Sequence, residues 1–199
     1  MPGYRSEATL DRQENIAART AMLKADHIAP LEDFRSQLEL AGQPVPFFDP
    51  LDGGIDARLL ILLETPGPSI APVRYVSIDN PTGTAANLRQ FLSAAGIDRK
   101  RIVLWNTVPW ITSGSIRPGH SSTKAGHSQV LALLDLLPKL GAVVLAGRTA
   151  QTLAAFIAGR LPVFSIGHPS PAHVNTAPEI RANSIDKLAM AKALIDFID

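Results

Sequence analysis

The chain has 199 residues, of which 46% are hydrophobic and 19% are charged, and its formal net charge is +1. These values are typical of one folded domain and exclude a disordered chain or a solvated coiled coil. The sequence contains no cysteine, which excludes disulfides, iron–sulfur clusters and thiolate zinc sites. No apolar run is long enough to cross a bilayer and no secretory signal is visible, so we expect a cytoplasmic protein without membrane contact.

Two helices are predicted near the N-terminus. Ser6 is a suitable N-cap for a helix over residues 7–26, and Pro30 can start a second helix. Residues 43–54 then hold three prolines and two glycines, which predicts a connecting loop. We expect residues 1–50 to form a helical segment that packs on the core.

Four short runs after this loop are nearly continuous in Leu, Ile and Val, as strands covered on both faces are. Helix-like segments separate the runs, and this alternation predicts a parallel sheet. We therefore expect an α/β domain over residues 51–199: a three-layer α/β/α sandwich around a four-stranded parallel sheet. The predicted strands are Arg58–Leu63, Arg101–Trp105, Ala142–Ala146 and Pro162–Ile166, and the predicted helices are Thr84–Ala95, Ala125–Leu137, Thr149–Gly159 and Ile180–Ile198.

The charge is unevenly distributed along the chain. Residues 1–50 carry 5 basic and 8 acidic side chains, whereas residues 51–199 carry 14 basic and 10 acidic ones. Between Arg99 and Pro178, eight Lys and Arg residues accompany a single acid, Asp135. Such a stretch suits a surface that meets a phosphate backbone, and it equally suits chance clustering on a solvated face.

Four loops follow the predicted strands, and ligands bind at this end of a parallel sheet. Their sequences are ETPGPS, NTVPW, GRTAQ and GHPSPAH. Each has an ordinary structural interpretation alone: a tight turn, a turn-forming asparagine, a helix start and a capped histidine. Their order along the chain favours a shared function.

The four loops together resemble the uracil-DNA glycosylase superfamily, from about Ile61 to Val174. GHPSP (Gly167–Pro171) is the most specific motif, and SIRPGHSS (Ser115–Ser122) stands where the family carries another loop that contacts the DNA backbone. The resemblance implies a divergent, cluster-free member that needs no cofactor. It implies a monomer that flips uracil out of DNA and hydrolyses the N-glycosidic bond, leaving an abasic site.

The resemblance and the chemistry of uracil assign roles to individual residues. The Asn106 carboxamide can donate to uracil O4 and accept from N3, whereas cytosine presents the reverse pattern. His168 is expected to donate to uracil O2, where negative charge develops as the base leaves. Tyr75 is a candidate to stack on the flipped base, or is an ordinary half-buried tyrosine. Pro66 and Gly67 are expected to line the base pocket.

Activation of water is where the chain departs from the family pattern. Thr65 stands where family branches carry Asp, Asn or Ala, and a hydroxyl can hold a water but cannot act as a base near neutral pH. Glu64 is the first candidate for orienting the water and Asp79 the second. A dissociative reaction needs little base, so weak activity is an expected outcome.

Other residues are expected to contact the DNA strand. Phosphate contacts are predicted for Ser170, Arg148 and Thr149, because such contacts position the duplex. The loop SIRPGHSS adds Ser121 as a DNA-binding candidate. His173 or Val174 is expected to fill the gap that the flipped base leaves in the stack.

Two other functions stay open. Thr65 motivates a catalytically weak or inactive protein that binds uracil-containing or abasic DNA. A small-molecule hydrolase with Ser165 or Ser170 as nucleophile is disfavoured, because the chain has no Gly-x-Ser-x-Gly motif. No metal site is expected, since the five histidines show no ligand spacing beyond the pair His120 and His127.

Overall fold

The chain alternates short strands with helices, and a computed structural model describes residues 7–39, 42–67, 73–111 and 119–198. The helices are α1 (Gln13–Ala21), α2 (Ala29–Glu39), α3 (Gly83–Ala94), α4 (His120–Asp135), α5 (Arg148–Gln151), α6 (Ala154–Ile157), α7 (Pro171–Val174) and α8 (Pro178–Ile198). The strands are β1 (Phe47–Phe48), β2 (Leu59–Leu63), β3 (Tyr75–Val76), β4 (Ile102–Asn106), β5 (Ala142–Ala146) and β6 (Val163–Ile166). Short 3₁₀ turns lie at Gly54–Asp56 and Arg99–Arg101.

The main sheet is parallel, with the strand order β4-β2-β5-β6. Every residue of β4 and β5 is buried, as expected for apolar strands that are covered on both faces. Leu63 lies opposite Asn106, and Ala146 lies opposite Ile166. The carboxyl ends of the four strands therefore meet at one edge of the sheet, which we call the carboxyl edge.

Helices cover the sheet and share its core. Helix α8 contacts β5, β6 and α3, and α2, α3, α4 and α8 all contribute buried side chains to the same hydrophobic cluster. Trp105 stacks on Phe48 with ring centroids 3.7 Å apart, and Phe34 of α2 packs against the same indole. The predicted α/β/α fold around a four-stranded parallel sheet, with N-terminal helices, is confirmed. Within the described ranges, none of the helices combines the length and apolar character that a membrane span needs.

The first helix is shorter than predicted. It begins at Gln13, because Arg12 has an extended backbone, and Ser6 lies outside the described residues. The residues before it are instead tied to other parts of the chain: Leu10 N–H donates to the Asp79 carbonyl, and the Asn15 side chain donates to the Thr9 carbonyl.

Residues 43–54 are not only a loop. They contain β1, which pairs in parallel with β3 so that Phe47 lies opposite Tyr75. Two-residue strands show no periodicity that a sequence pattern can detect.

The predicted helix Thr149–Gly159 is wrong as one element, because it divides into α5 and α6. At the junction, the Thr152 hydroxyl donates to the Thr149 carbonyl at 2.6 Å, and Leu153 N–H donates to the Ala150 carbonyl at 3.0 Å. Such side-chain bonds compete with the helical ladder.

A buried ionic cluster ties α1 to the ribbon of β1 and β3. Arg19 donates to Asp49 at 3.1 Å and to Asp79 at 2.6 Å. Arg99 donates to Asp49 at 2.6 Å, to Asp52 at 2.8 Å and also to Asp79. All three carboxylates are at most 3% exposed, whereas Arg99 is partly exposed. A third guanidinium, that of Arg89, lies 3.9 Å from Asp79.

Burial is the main influence on the protonation of Asp52. Its Oδ2 is buried without a hydrogen-bond partner among the described residues. Burial and the neighbouring charges of Asp49 and Asp79 together raise the pKa of Asp52 to about 8, against the opposing effect of Arg99. The protonated form of Asp52 is therefore the one expected at neutral pH.

The unfolding free energy of Asp52→Asn is expected to fall less than that of the wild type as pH rises. A raised folded-state pKa stabilises the fold fully below the unfolded value of about 4, and this contribution is lost as pH rises through about 8. The wild type should lose on the order of 2 kcal/mol of unfolding free energy between about pH 6 and pH 9, and the variant should lose less. Urea unfolding at both pH values measures this, with the exposed Asp56→Asn as control. Equal losses in wild type and Asp52→Asn would contradict the protonated form.

Candidate active site

A cavity of about 560 Å³ lies at the carboxyl edge. Asn106, the last residue of β4, and His168, two residues after β6, both line it although they are far apart in the chain. This convergence follows from the parallel register, which brings the ends of all four strands to one edge. The other predicted base-pocket and water-loop residues that line the cavity are Thr65, Pro66, Gly67 and Tyr75.

The Asn106 side chain is 3% exposed and faces this cavity. No described residue hydrogen-bonds to its carboxamide, although a buried amide normally has protein partners. Its donor and its acceptor are therefore available to a ligand. The pairing of β4 with β2 fixes the backbone of Asn106, from which the carboxamide extends at the carboxyl edge.

The hydrogen bonding of His168 fixes its tautomer. Ser170 N–H donates to His168 Nδ1 at 3.2 Å, so the neutral ring carries its proton on Nε2. Burial lowers the pKa of His168 below its ordinary value of 6.5, and the nearby Glu64 carboxylate opposes this shift without reversing it. The imidazole is therefore neutral at pH 7, with an N–H at Nε2.

Contacts from α3 hold the loop that carries His168. The Asn87 side chain donates to the Pro169 carbonyl at 2.9 Å, and Pro171 packs directly on Gly83, where a Cβ atom would clash. The loop is thus anchored on both sides of Ser170, the residue whose N–H orients the imidazole.

Tyr75 lies in the wall of the cavity and is 5% exposed. Its hydroxyl is 3.0 Å from the Thr20 hydroxyl of α1, and its ring lies 5.5 Å from that of Phe47. Burial raises the pKa of Tyr75, so the phenol is neutral. Tyr75 thus contributes an aromatic ring to the wall of the cavity that Asn106 also lines.

A comparison with family models agrees with this geometry. The model described as the Uracil DNA glycosylase superfamily matches residues 46–191. The chain belongs to this superfamily. A search of curated proteins gave no match. The resemblance carried by the four loops is thereby confirmed, and membership in the superfamily suggests glycosylase-type activity.

Glu64 and His168 pack against the same residue, Gly147. The Glu64 Oε1 accepts from Thr149 N–H at 3.0 Å and so caps the start of α5. Gly147, with φ of 93°, allows this packing: a Cβ atom there would lie 3.1 Å from both the Glu64 carboxylate and His168. Glu64 is absent from the described residues that line the cavity, which disfavours it as the water-orienting group. The same bond occupies the Thr149 N–H, so the phosphate contact of Thr149, which stays a prediction, would use its hydroxyl.

Asp79 lies in the ionic cluster and not in the cavity wall. Its carboxylate accepts from Arg19 and Arg99 and is 3% exposed. Its neighbours Ser77 and Asn80 do line the cavity. This placement contradicts the prediction that Asp79 orients water.

The basic stretch between Arg99 and Pro178 is not one cationic surface. Arg117 lies outside the described residues. Of the seven basic residues that the structure describes, four pair with carboxylates: Arg99 in the ionic cluster, Arg101 with Asp196, Lys139 with Asp56 and Arg160 with Asp135. These four therefore do not contribute unpaired positive charge to a common surface.

None of the predicted DNA contacts is among the described residues that line the cavity. Arg148 is exposed at the start of α5, and Ser121 is exposed in the first turn of α4. Residues 115–118, half of SIRPGHSS, lie outside the described residues, which resume at Gly119. Ser170 is half-buried, and its N–H is already used to orient His168.

Val174 is 4% exposed and belongs to the hydrophobic core, which contradicts its prediction as a wedge. His173 is exposed and packs against Gly167, where it also lines a second cavity of about 230 Å³. His173 thus stays the wedge candidate of this pair.

Sequence patterns missed three residues that support the site. Arg74 lines the cavity, Thr20 contacts the Tyr75 hydroxyl, and Asn87 holds the Pro169 carbonyl. The last two act on partners 55 and 82 residues away, so no local motif signals them. In the part of the chain that the structure describes, no group of three His, Asp or Glu residues could hold a metal ion.

The cap predicts different effects for two substitutions of Glu64. Glu64→Ala removes the acceptor for Thr149 N–H and should lower the unfolding free energy by about 1 kcal/mol. Glu64→Gln retains a side-chain oxygen at this position and should cost less than half as much. Urea denaturation of both variants measures the difference, and equal losses would show that the cap contributes nothing.

Proposed function

We propose that the protein is a uracil-DNA glycosylase, a monofunctional hydrolase that acts in base excision repair. The observation that carries this proposal is the presence of Asn106 and His168 in the wall of one cavity. The proposed partner is DNA that contains uracil or an abasic site. A cytoplasmic location and a monomeric state stay predictions from the sequence.

Recognition of uracil rests on the Asn106 carboxamide. Uracil offers an acceptor at O4 and a donor at N3, which match the amide N–H and the amide oxygen. Cytosine reverses both groups and would leave buried polar atoms opposed, at a cost of about 1–3 kcal/mol each. Because the carboxamide has no partner among the described residues, nothing there competes with the base. The target nucleotide must leave the duplex to reach it, and Tyr75 provides an aromatic wall for the extruded base.

His168 is proposed to stabilise the leaving base. As the glycosidic bond lengthens, its electron pair moves into the base, and negative charge develops at O2. A neutral imidazole with a proton on Nε2 can donate to this oxygen without first losing a proton. The bond from Ser170 N–H to Nδ1 holds this tautomer before the substrate arrives, so little reorganisation is needed.

Water addition completes the reaction at the sugar C1′. The water loses a proton to solvent or to the departing base, and the products are free uracil and an abasic site. Thr65 lines the cavity and can position this water through its hydroxyl, although it cannot act as a base. The proposed catalysis therefore depends mainly on the leaving group, and modest turnover is expected.

A second candidate function is a protein that binds uracil-containing or abasic DNA with little or no hydrolysis. The position of Glu64 favours it, because this carboxylate caps α5 and does not line the cavity with the described residues. Retention of such DNA without release of free base would distinguish this candidate from the glycosylase.

Substitution of the two convergent residues tests the proposal. His168→Ala should slow uracil release about 10²- to 10³-fold, the effect of removing one oxyanion donor. Asn106→Asp should release uracil more slowly, because its carboxylate cannot donate to O4, and should gain activity on cytosine. Release of free base from a uracil-containing oligonucleotide under single-turnover conditions measures both.

The exposed Asn175→Asp is the matched control and should behave as the wild type. No release by the wild type, with binding retained, would establish the second candidate. If the wild type neither releases uracil nor binds this DNA, both candidate functions are contradicted.

The acid limit of activity should lie below pH 6.5. The lowered pKa keeps His168 neutral at that pH, and activity falls only when the ring gains a second proton as pH decreases further. Protonation places a donor on Nδ1 opposite the Ser170 N–H, which removes the bond that orients the ring. Single-turnover rates between about pH 5 and pH 8 measure the midpoint. An acid midpoint above 6.5 would contradict the neutral, buried imidazole.

A further inference from the structure

Arg74 is a charged residue in the wall of the cavity. It is half-buried and lies next to Tyr75, and both residues line the cavity with Asn106 and His168. With His168 neutral, Arg74 is the one residue with a permanent charge among the described residues of this wall. An isolated cation in such a position favours an anionic ligand.

The surroundings of Arg74 differ from those of the other well-buried arginines. Arg19, Arg35 and Arg99 each meet at least one carboxylate within 3.1 Å. Arg74 instead donates one Nη2–H bond to the Gly67 carbonyl, and no carboxylate of the described ranges pairs with it. Burial without a counter-charge lowers the pKa of Arg74, which is nonetheless cationic at neutral pH.

The Gly67 carbonyl orients the guanidinium and leaves most of its donors unused. Arginine has five N–H donors in a planar fork, a geometry that matches the two free oxygens of a phosphodiester. Gly67 belongs to the loop that also presents Thr65 to the cavity. An anion bound to Arg74 would therefore lie beside the site of base release.

We propose that Arg74 binds a DNA phosphodiester group next to the flipped nucleotide, and this inference rests on the proposed function. The contact neutralises a cation that the fold leaves without an anion. It also holds the extruded nucleotide from its backbone side, while Asn106 holds it from the base. The competing possibility, that Arg74 stabilises the departing uracil anion, is an outcome that the test separates.

The test measures the affinity of the full-length protein for a duplex oligonucleotide with uracil on a 2′-fluorinated sugar, which resists cleavage. Arg74→Gln keeps a donor for the Gly67 carbonyl but removes the charge. It should weaken binding about tenfold and reduce the slope of log Kd against log salt by about one. Arg74→Lys should restore most of the slope but not the full affinity, because it lacks the planar fork. Arg160→Gln, which removes an exposed arginine paired with Asp135, should change neither quantity.

Three results would overturn the inference. An unchanged salt slope in Arg74→Gln would exclude a phosphate contact. An unchanged slope with a slower single-turnover step would assign Arg74 to the departing base. An equal change in Arg160→Gln would show that overall charge, and not this contact, sets the affinity. Uracil release by the wild type is measured in parallel, so failure of the inference is distinguished from failure of the proposed function.

Discussion

The parallel pairing of β4, β2, β5 and β6 is the constraint on which the site depends. It places the end of each strand at the same edge. Asn106 and His168 therefore line one cavity although they are far apart in the sequence. A shift of one residue in β4 would turn the carboxamide to the opposite face of the sheet. The apolar strand interiors hold the register, and the polar chemistry of the edge follows from it.

Few of the described residues that line the cavity carry a charge. The imidazole of His168 is neutral because burial outweighs the attraction of the Glu64 carboxylate behind it. The Glu64 carboxylate accepts a hydrogen bond from the first turn of α5, and the Asp79 carboxylate pairs with two arginines. The acids near the site therefore support the scaffold, and under the proposed function bond cleavage depends on donors that meet the leaving base.

Much of this arrangement could be predicted from the sequence. The four strands were visible as continuous apolar runs, and the residues after them indicated Asn106 and His168. The position of Asp79 could not be predicted, because it depends on arginines that are distant in the chain and on burial that local patterns do not encode. Val174 follows the HPSP motif, yet its side chain packs into the core, since the turn of α7 decides which residue faces inward. No sequence motif indicates Arg74.

The ionic cluster joins α1 to the part of the chain that the family model matches. The family match starts at residue 46, whereas Arg19 of α1 supplies counter-charge to Asp49 and Asp79 on the matched side. A fragment cut at that limit would bury carboxylates beside too few cations, and breaking such pairs costs about 3–5 kcal/mol, much of a typical domain's stability. Helix α1 therefore contributes to the stability of the part of the chain that the family model matches. The stabilising contacts of this domain extend beyond the residues that the family shares.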